Sequence, residues 1–410
     1  MTSRERIRAA LAGEPADHPA LTTWCFGLPA PQGLRWETDG HPVDYWYSMR
    51  MEHLHTTTVP WTLEDDFRRV LAWRSLGVDD LLDVSVPWSV ATEVTWADLR
   101  IPAGQQGQYP VMVREYQTPS GSLRHAVKRT EPDPPGWPVQ PDHVPLIEDF
   151  NIPRAVEHAI TGPADVPVIQ HLFAPPNDAA SAWFAHRMER VGAFARENGI
   201  AVQAWSAFGM DAVVWFTGTE GAIMMALDQP GAFGKLVDII AATDYARTEL
   251  ALTSPDVDLI VQRGWYSSTD FWSPVLFDRF VFPHLSALAD LVHRHGRKLG
   301  YVMTTGVDKL GPRLADAGVD LLYFVDPVQD GVDLQWARDE LAERMTLVGG
   351  TNALSLGSAD AARIRDEALH ALDTLAETNR FILHPVDAVF PDTPWAGIEA
   401  LISAWKEWWA

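Results

Sequence analysis

From about residue 200 to the C-terminus, short runs of β-branched and other apolar residues alternate with long amphipathic stretches. That period marks repeated strand–helix units, which line their strands up in a parallel sheet and cover it with helices. The clearest runs are 200–206 (IAVQAWS), 257–263 (VDLIVQR), 297–303 (RKLGYVM), 319–325 (VDLLYFV), 345–350 (MTLVGG) and 380–385 (RFILHP). Two more stand earlier, 18–24 (HPALTTW) and 78–86 (VDDLLDVSV). Helices fill the gaps. The stretch 274–295 opens with Pro274 and carries Leu276, Phe280, Leu285, Leu288 and Leu291 near helical spacing, and 358–377 opens with Ser358 and sets Ile364, Ala368, Leu372 and Leu375 on one face. Eight such units predict an α/β fold, the (β/α)8 TIM barrel. A ninth apolar run, 166–172, is read as helix, because Asp165 is placed to cap it and Val168, Ile169 and Leu172 fall at helical spacing. The pairs Gly349-Gly350 and Gly311-Pro312 are read as turns.

Between the second and third strands lies a Pro- and Gly-rich segment, 88–165. Two alternating runs, YPVMVREYQT and SLRHAVKRT, flank the turn TPSG and predict a β-hairpin, followed by the link EPDPPGWPVQPDHVP. We expect an insertion near the barrel mouth within a single domain, 1–410.

Asp and Glu outnumber Lys and Arg by 55 to 32, a net charge of −23, which argues against nucleic acid and against an anionic membrane surface as partners. With 47% apolar residues the chain can bury a large core, and most of its 18 tryptophans are expected there. One cysteine, Cys25, excludes intrachain disulfides and Cys-rich metal sites. The N-terminal stretch SRERIRAAL has charges threaded through it, and no apolar run approaches the ~18 residues of a membrane span. A cytoplasmic location is expected.

In a barrel the chemistry sits at the C-terminal ends of the strands. The residues there are Trp24, Asp83 and Ser85, Trp205 and Ser206, Arg263 and Tyr266, Met303 and Thr305, Asp326, Asn352, His384 and Asp387. Asp387, in HPVDAVFPDTP, is placed to aim a carboxylate across the mouth. His384 titrates near neutrality when unperturbed. Arg263 has the chemistry to clamp a carboxylate and Tyr266 to donate a proton. Asp326 precedes a proline in FVDPVQD and suits an Asx turn as well as a site, and Asp270 is read as the cap of the following helix. His53-x-His55 and His293-x-His295 have the wrong spacing for helical metal ligands. No GxSxG elbow, phosphate loop or dinucleotide fingerprint is present.

The segments SRERIRAALAGEPADHPAL, SPVLFDRFVFPHLSALADLVHRHGRKLGYVMTTG, LADAGVDLLYFVDPVQ, LVGGTNALSLGSADAARIRDEALHAL and ILHPVDAVFPDTPWAGIEALISAW resemble the uroporphyrinogen decarboxylase family, including its cobalamin-dependent methyltransferase branch. The resemblance runs nearly end to end. It implies a barrel enzyme acting on a small molecule. Family decarboxylases carry an arginine-rich loop after the first strand, where this chain reads Trp24-Cys25-Phe26-Gly27-Leu28-Pro29, so porphyrinogen is not the expected substrate. The methyltransferase branch binds zinc at positions that align with Met303, Thr305 and Asp387. A thioether, a hydroxyl and a carboxylate replace an imidazole and two thiolates there, so no bound metal or other cofactor is expected. Decarboxylases place a histidine where Asp387 stands, so both branches use that position. The expected function is one-carbon transfer or demethylation of an aromatic or methoxylated compound, with a corrinoid carried by a partner protein. Asp387, Tyr266, Asp326 and Asp83 are the candidate catalytic groups. Arg263, Asn352, His384, Trp24, Trp205, Thr305 and Met303 are the candidate substrate contacts. A cofactor-free decarboxylase and a non-catalytic binding barrel are the alternatives.

Overall fold

The computed structural model describes residues 1–48, 61–130, 144–148 and 151–410. All eight expected runs enter one sheet: β1 (Ala20–Leu21), β2 (Leu81–Ser85), β3 (Ala201–Ala207), β4 (Leu259–Gln262), β5 (Lys298–Val302), β6 (Leu321–Val325), β7 (Thr346–Asn352) and β8 (Phe381–Val386). The order is β1-β8-β7-β6-β5-β4-β3-β2, with every pairing parallel. The sheet curls far enough that the two edge strands approach each other, and the backbone N–H of Asp79 donates to Leu21 O at 3.0 Å. Every residue of β3, β4, β6, β7 and β8 is buried, as a parallel sheet with helices on one face and packed side chains on the other requires.

Two irregularities in this sheet bear on the site. The β6–β7 register shifts between Tyr323 and Val325, and the β3–β4 register shifts between Trp205 and Ala207. Such bulges re-aim side chains that strict alternation would send to opposite faces. At the first, Gly349 lies at φ 149°, and a Cβ there would stand 2.2 Å from Val325 O. Gly349 and Gly350 are therefore strand residues, not a turn, and the glycine is needed because the bulged strand presses against it. Gly311 and Pro312 likewise lie inside the helix Val307–Asp316.

The helix expected over 274–295 is two, Pro274–Phe280 and Phe282–Arg294, broken at Val281 because Pro283 cannot continue the ladder and instead opens the second helix. The helix over 361–375 is capped by Asp360 rather than opened by Ser358. The run at 166–172 forms the short helix Val166–Ile169, but the Asp165 carboxylate serves the turn before it, accepting from Thr161 N at 2.7 Å and Gly162 N at 3.0 Å.

In the chain between β2 and β3 a second sheet forms from Thr95–Ile101, Val111–Thr118, Gly121–Lys128 and Ala155–Glu157, antiparallel throughout. The two runs around TPSG pair from Val111↔Lys128 to Thr118↔Gly121, and a third strand, 95–101, joins them although its sequence was not read as one. Tyr116 and Leu123 of this sheet belong to the same hydrophobic cluster as the main sheet. The link is mostly, and His53 and His55 wholly, outside the described residues. Among the described residues no helix is long and apolar enough to cross a membrane.

Two glycines separate backbone strain from steric collision. Gly331, at φ 69° with open space around it, should tolerate alanine at a cost of about 1 kcal/mol, whereas Gly349→Ala adds a backbone collision and should cost roughly 3 kcal/mol or more. Urea denaturation of both variants measures the difference.

Candidate active site

Six rings meet where the strands end. Trp24, three residues beyond β1, has its ring centroid 4.5 Å from Tyr323, 4.9 Å from Phe324, 5.2 Å from His384, 5.4 Å from Trp205 and 6.0 Å from Trp265. Tyr323 and Phe324 are consecutive on β6, and both reach Trp24 because the register shift falls between them and β7. Five of the rings are buried, and Trp265 is half-buried on top of them. The result is a closed aromatic floor.

A polar thread runs through it. The Tyr323 hydroxyl donates to Gln203 Oε1 at 2.9 Å, Gln203 Nε2 donates to Asp83 Oδ1 at 2.6 Å, and Trp205 Nε1 donates to the same oxygen at 2.9 Å. The carboxylate can only accept from Gln203, which fixes the amide's orientation and makes Tyr323 the donor at its other end. The Asp83 Oδ2 oxygen lies 4.0 Å from the buried guanidinium of Arg69, which is also paired with Asp80. Burial pushes the Asp80 carboxyl up to about 7 although Arg69 pulls it down.

Asp387 follows β8 and is half-buried, and Trp265 Nε1 donates to its Oδ2 at 3.2 Å. Beneath it, His384 is fully buried, with Nδ1 3.0 Å from Thr22 Oγ1 and Nε2 3.4 Å from the Asp387 carbonyl oxygen. A carbonyl only accepts, so the proton sits on Nε2 and Thr22 donates to Nδ1. Burial drives the imidazole down to about 3, against the pull of these hydrogen bonds. The expected titration of His384 near neutrality is thus corrected: desolvation keeps the ring neutral.

Other expected site residues are turned to one another. Asn352 Nδ2 donates to Asp326 Oδ2 at 2.7 Å and to Gln329 Oε1 at 3.0 Å, while Asp326 Oδ1 accepts from Val328 N and Gln329 N at 2.8 and 3.2 Å. Asp326 is 1% exposed, and burial raises its carboxyl. Thr305 Oγ1 donates to Asp270 Oδ2 at 2.6 Å, so Asp270 does not cap the next helix; Ser273 does. These two residues line a groove of about 690 Å³ at the ends of β4, β5 and β6, together with Asp308, Asp330 and Trp336. Met303 is fully buried in the core, and the Ser206 hydroxyl is bonded to Thr248. Ser85 is buried as well.

Arg263 is 3% exposed, donates to Asp211 Oδ2 at 3.2 Å, and has its guanidinium carbon 4.4 Å from the Trp265 ring centroid. Asp211 Oδ1 accepts from Tyr266 N at 3.0 Å, so one buried carboxylate holds both ends of the 263–266 segment. Gly264 is required between them, since a Cβ would meet Val302 O at 2.4 Å. The Tyr266 ring is half-buried and packs edge-on to Phe271.

The structure therefore brings together Trp24, Trp205, His384, Asp83 and Asp387, and leaves Asp326, Asn352, Thr305 and Met303 engaged elsewhere. Gln203, Asp211, Trp265, Tyr323 and Phe324 belong to the same constellation without having been singled out. Gln203 had a readable signal: it is an amide inside a fully buried strand whose other residues, Ser206 apart, are apolar. Among the described residues no group of three or more His, Cys, Asp and Glu side chains is disposed to hold a metal ion.

The sequence of residues 214–408 matches the family model for Uroporphyrinogen decarboxylase (URO-D), a little under half of the chain. The opening segment SRERIRAALAGEPADHPAL lies outside that match. Among solved structures, a methyltransferase from Methanosarcina mazei is similar over 100% of both chains, with a TM-score of 0.56 and 15% identity. A 3-keto-D-glucoside 4-epimerase from E. coli, at 12% identity and a TM-score of 0.34 over 62% of this chain and 96% of that one, overlaps too loosely to bear on the fold. No curated protein sequence matches the chain. What is shared with the Methanosarcina mazei protein at this identity is the broad fold, and the URO-D match lies in the C-terminal half of the present chain.

His384 provides a pH readout. Its folded pKa lies below the ordinary 6.5, so the unfolded chain binds the extra proton between about pH 6.5 and 3, and the stability it confers is complete above 6.5 and lost on acidification. His384→Gln should flatten the fall in unfolding free energy between pH 6 and 4 by about 1.4 kcal/mol per pH unit relative to the parent protein. Denaturant titrations at three pH values measure it.

Proposed function

We propose that this chain is an enzyme that takes a methyl group from a small aromatic or methoxylated compound lying on the aromatic floor and passes it to a corrinoid carried by a partner protein. The observation that carries this reading is Asp387. It is a half-buried carboxylate at the end of the last strand, fixed by the indole N–H of Trp265, one of the rings of the floor, and joined through its carbonyl to His384, another. A fold in common with a methyltransferase and a C-terminal half in the URO-D pattern support an enzymatic role.

In this reading the floor stacks against the substrate ring and excludes water beneath it. As the methyl carbon leaves, the bonding pair remains on the substrate oxygen or nitrogen, and protonated Asp387 donates a proton to that atom, with the Tyr266 hydroxyl sharing the donation. The corrinoid would be held by the partner protein and not by residues of this chain, and in its reduced state it would offer the electron pair to which the methyl carbon bonds. Arg263 acts at one remove: through Asp211 it holds the 263–266 segment, and through its face it holds the Trp265 ring. Trp24 and Trp205 set the depth of the floor, Asp83 keeps Trp205 in place, and Thr305 stands at the rim on the groove side. The antiparallel sheet of 95–101, 111–118, 121–128 and 155–157 shares the core through Tyr116 and Leu123, and in this reading it would cover the mouth as part of one domain.

A second reading, cofactor-free decarboxylation with Asp387 protonating the carbon that loses carbon dioxide, draws on the description of the matching family. It asks Arg263 to grip the departing carboxylate, and that guanidinium is already held by Asp211. Turnover that requires a corrinoid protein separates the two.

Asp387→Asn keeps size and hydrogen-bonding atoms, so kcat should fall about 10²–10⁴-fold with little change in Tm. Full turnover by this variant would move the acid to Asp83. Metal analysis of the dialysed protein should find no stoichiometric zinc, since Met303 is buried and Thr305 donates to Asp270. One zinc per chain, lost in Asp387→Asn, would overturn that.

A further inference from the structure

The antiparallel sheet ends in two unlike edges. One is the three-residue strand Ala155–Glu157, whose register with its neighbour is already shifted, and a short irregular edge offers little to pair with. The other is Thr95–Ile101. Its seven residues keep an unbroken register with the next strand, from Thr95↔Gln117 to Ile101↔Val111, and contain no proline. Six of the seven are exposed, with Trp96 at 52% and Leu99 at 55%. Among the described residues the neighbouring strand is its sole ladder partner, so its outer row of N–H and C=O groups faces outward. Regular exposed edges of this length are templates for another strand.

Charges usually guard such an edge, and here they are Asp98 and Arg100. Asp98 is held by Arg114, whose Nε and Nη2 donate to its two oxygens at 2.6 and 2.7 Å, and the Arg114 guanidinium lies 5.1 Å from the Trp96 ring centroid. Arg100 is exposed and has no ion-pair partner among the described residues. The question is what strand would meet these charges.

Pairing with a second copy is restricted by geometry. In an antiparallel ladder, opposed residues either both point their N–H and C=O across the gap or both point them away. Two copies of one strand satisfy this only when the two-fold axis falls on a residue, never between two residues. With the axis on Asp98 the two carboxylates face each other. With the axis on Ala97, Trp96 faces Asp98 and Arg100 faces Val94. With the axis on Leu99, each Asp98 faces the other copy's Arg100, Ala97 faces Ile101, and Leu99 faces itself. The last register alone opposes unlike charges, twice. It also extends the row Arg114–Asp98 on to an arginine of the second copy, and it covers Leu99, which lies across from buried Val113 on the apolar face of the sheet.

We propose that the 95–101 edge is where two copies of this chain pair, with the two-fold axis on Leu99. The inference stands apart from the reaction and holds or fails independently of it. The partner is this chain itself because the self-paired register satisfies both guarding charges without a further component.

The full chain should sediment as a monomer–dimer equilibrium at micromolar to tens-of-micromolar concentration near 0.15 M salt, where the repulsion between two chains of net charge −23 is screened beyond about 8 Å. The sole native thiol, Cys25, is buried, so an introduced cysteine reports alone. Residues directly opposite have Cβ atoms about 4.5–5.5 Å apart, so Leu99→Cys should oxidise to a covalent dimer, whereas Ala97→Cys, about 13 Å from its counterpart in this register, should not. Arg100→Glu sets like charges opposite each other and should weaken the dimer about tenfold or more, with circular dichroism unchanged. A chain that stays monomeric throughout overturns the proposal. So does a dimer that crosslinks through Ala97→Cys rather than Leu99→Cys, or one indifferent to Arg100→Glu.

Discussion

The site depends on Trp24 being packed by five rings drawn from four strands spread around the sheet. An aromatic pair contributes about 0.5–1.5 kcal/mol beyond the area it buries, so this one residue ties β3, β4, β6 and β8 to the end of β1. Its geometry is possible because β6 abandons strict alternation at Phe324, and that in turn requires the bare backbone of Gly349. A glycine on β7, a bulge on β6 and an indole after β1 are thus one feature seen from three strands.

The arginines buried around the floor are each paired with a carboxylate. Arg247, fully buried, donates to Val86 O at 2.7 and 3.0 Å and to Trp205 O at 3.3 Å, and its charge is balanced by Asp244. It therefore occupies the carbonyls exposed where β2 and β3 part. Burial lowers this guanidinium to about 10 and raises Asp244 to about 6, two shifts in the direction that weakens the charged pair. Removing either partner would leave the other uncompensated in a dry interior, which costs about 3–5 kcal/mol. Arg69 with Asp80 and Asp83, and Arg263 with Asp211, repeat the pattern on either side of the floor.

The eight strands were legible because each is an apolar run with a period of its own, and a parallel sheet buried on both faces leaves that signature wherever it occurs. The ends of the strands were legible for the same reason, so Trp24, Trp205, Asp83 and Asp387 could be found by position. Direction was not. Asp326 and Asn352 occupy strand ends too, yet the Asx turn after β6 aims them at each other, and Thr305 finds Asp270 in a loop whose path no periodicity encodes. Phe324 was hidden by the bulge, since alternation assigns it to the face opposite Tyr323. The 95–101 strand was hidden because its residues are exposed on both faces, leaving no apolar alternation to read.

Under the proposed function, three carboxylates at strand ends compete for the role of acid, and their surroundings rank them. Asp326 already receives two backbone N–H groups and an amide and is closed to solvent, so a substrate could reach it only by dismantling the turn. Asp83 receives an amide and an indole on one oxygen and faces Arg69 with the other, beneath the rings of the floor. An acid must hold its proton at the working pH and release it to an atom about 2.6–3.2 Å away. Asp387 is half-buried, accepts from the Trp265 indole, and has the neutral imidazole of His384, not a cation, at its own carbonyl. In the proposed reaction a substrate resting on the rings therefore meets Asp387 rather than Asp83 or Asp326, whose oxygens are taken up by buried amides.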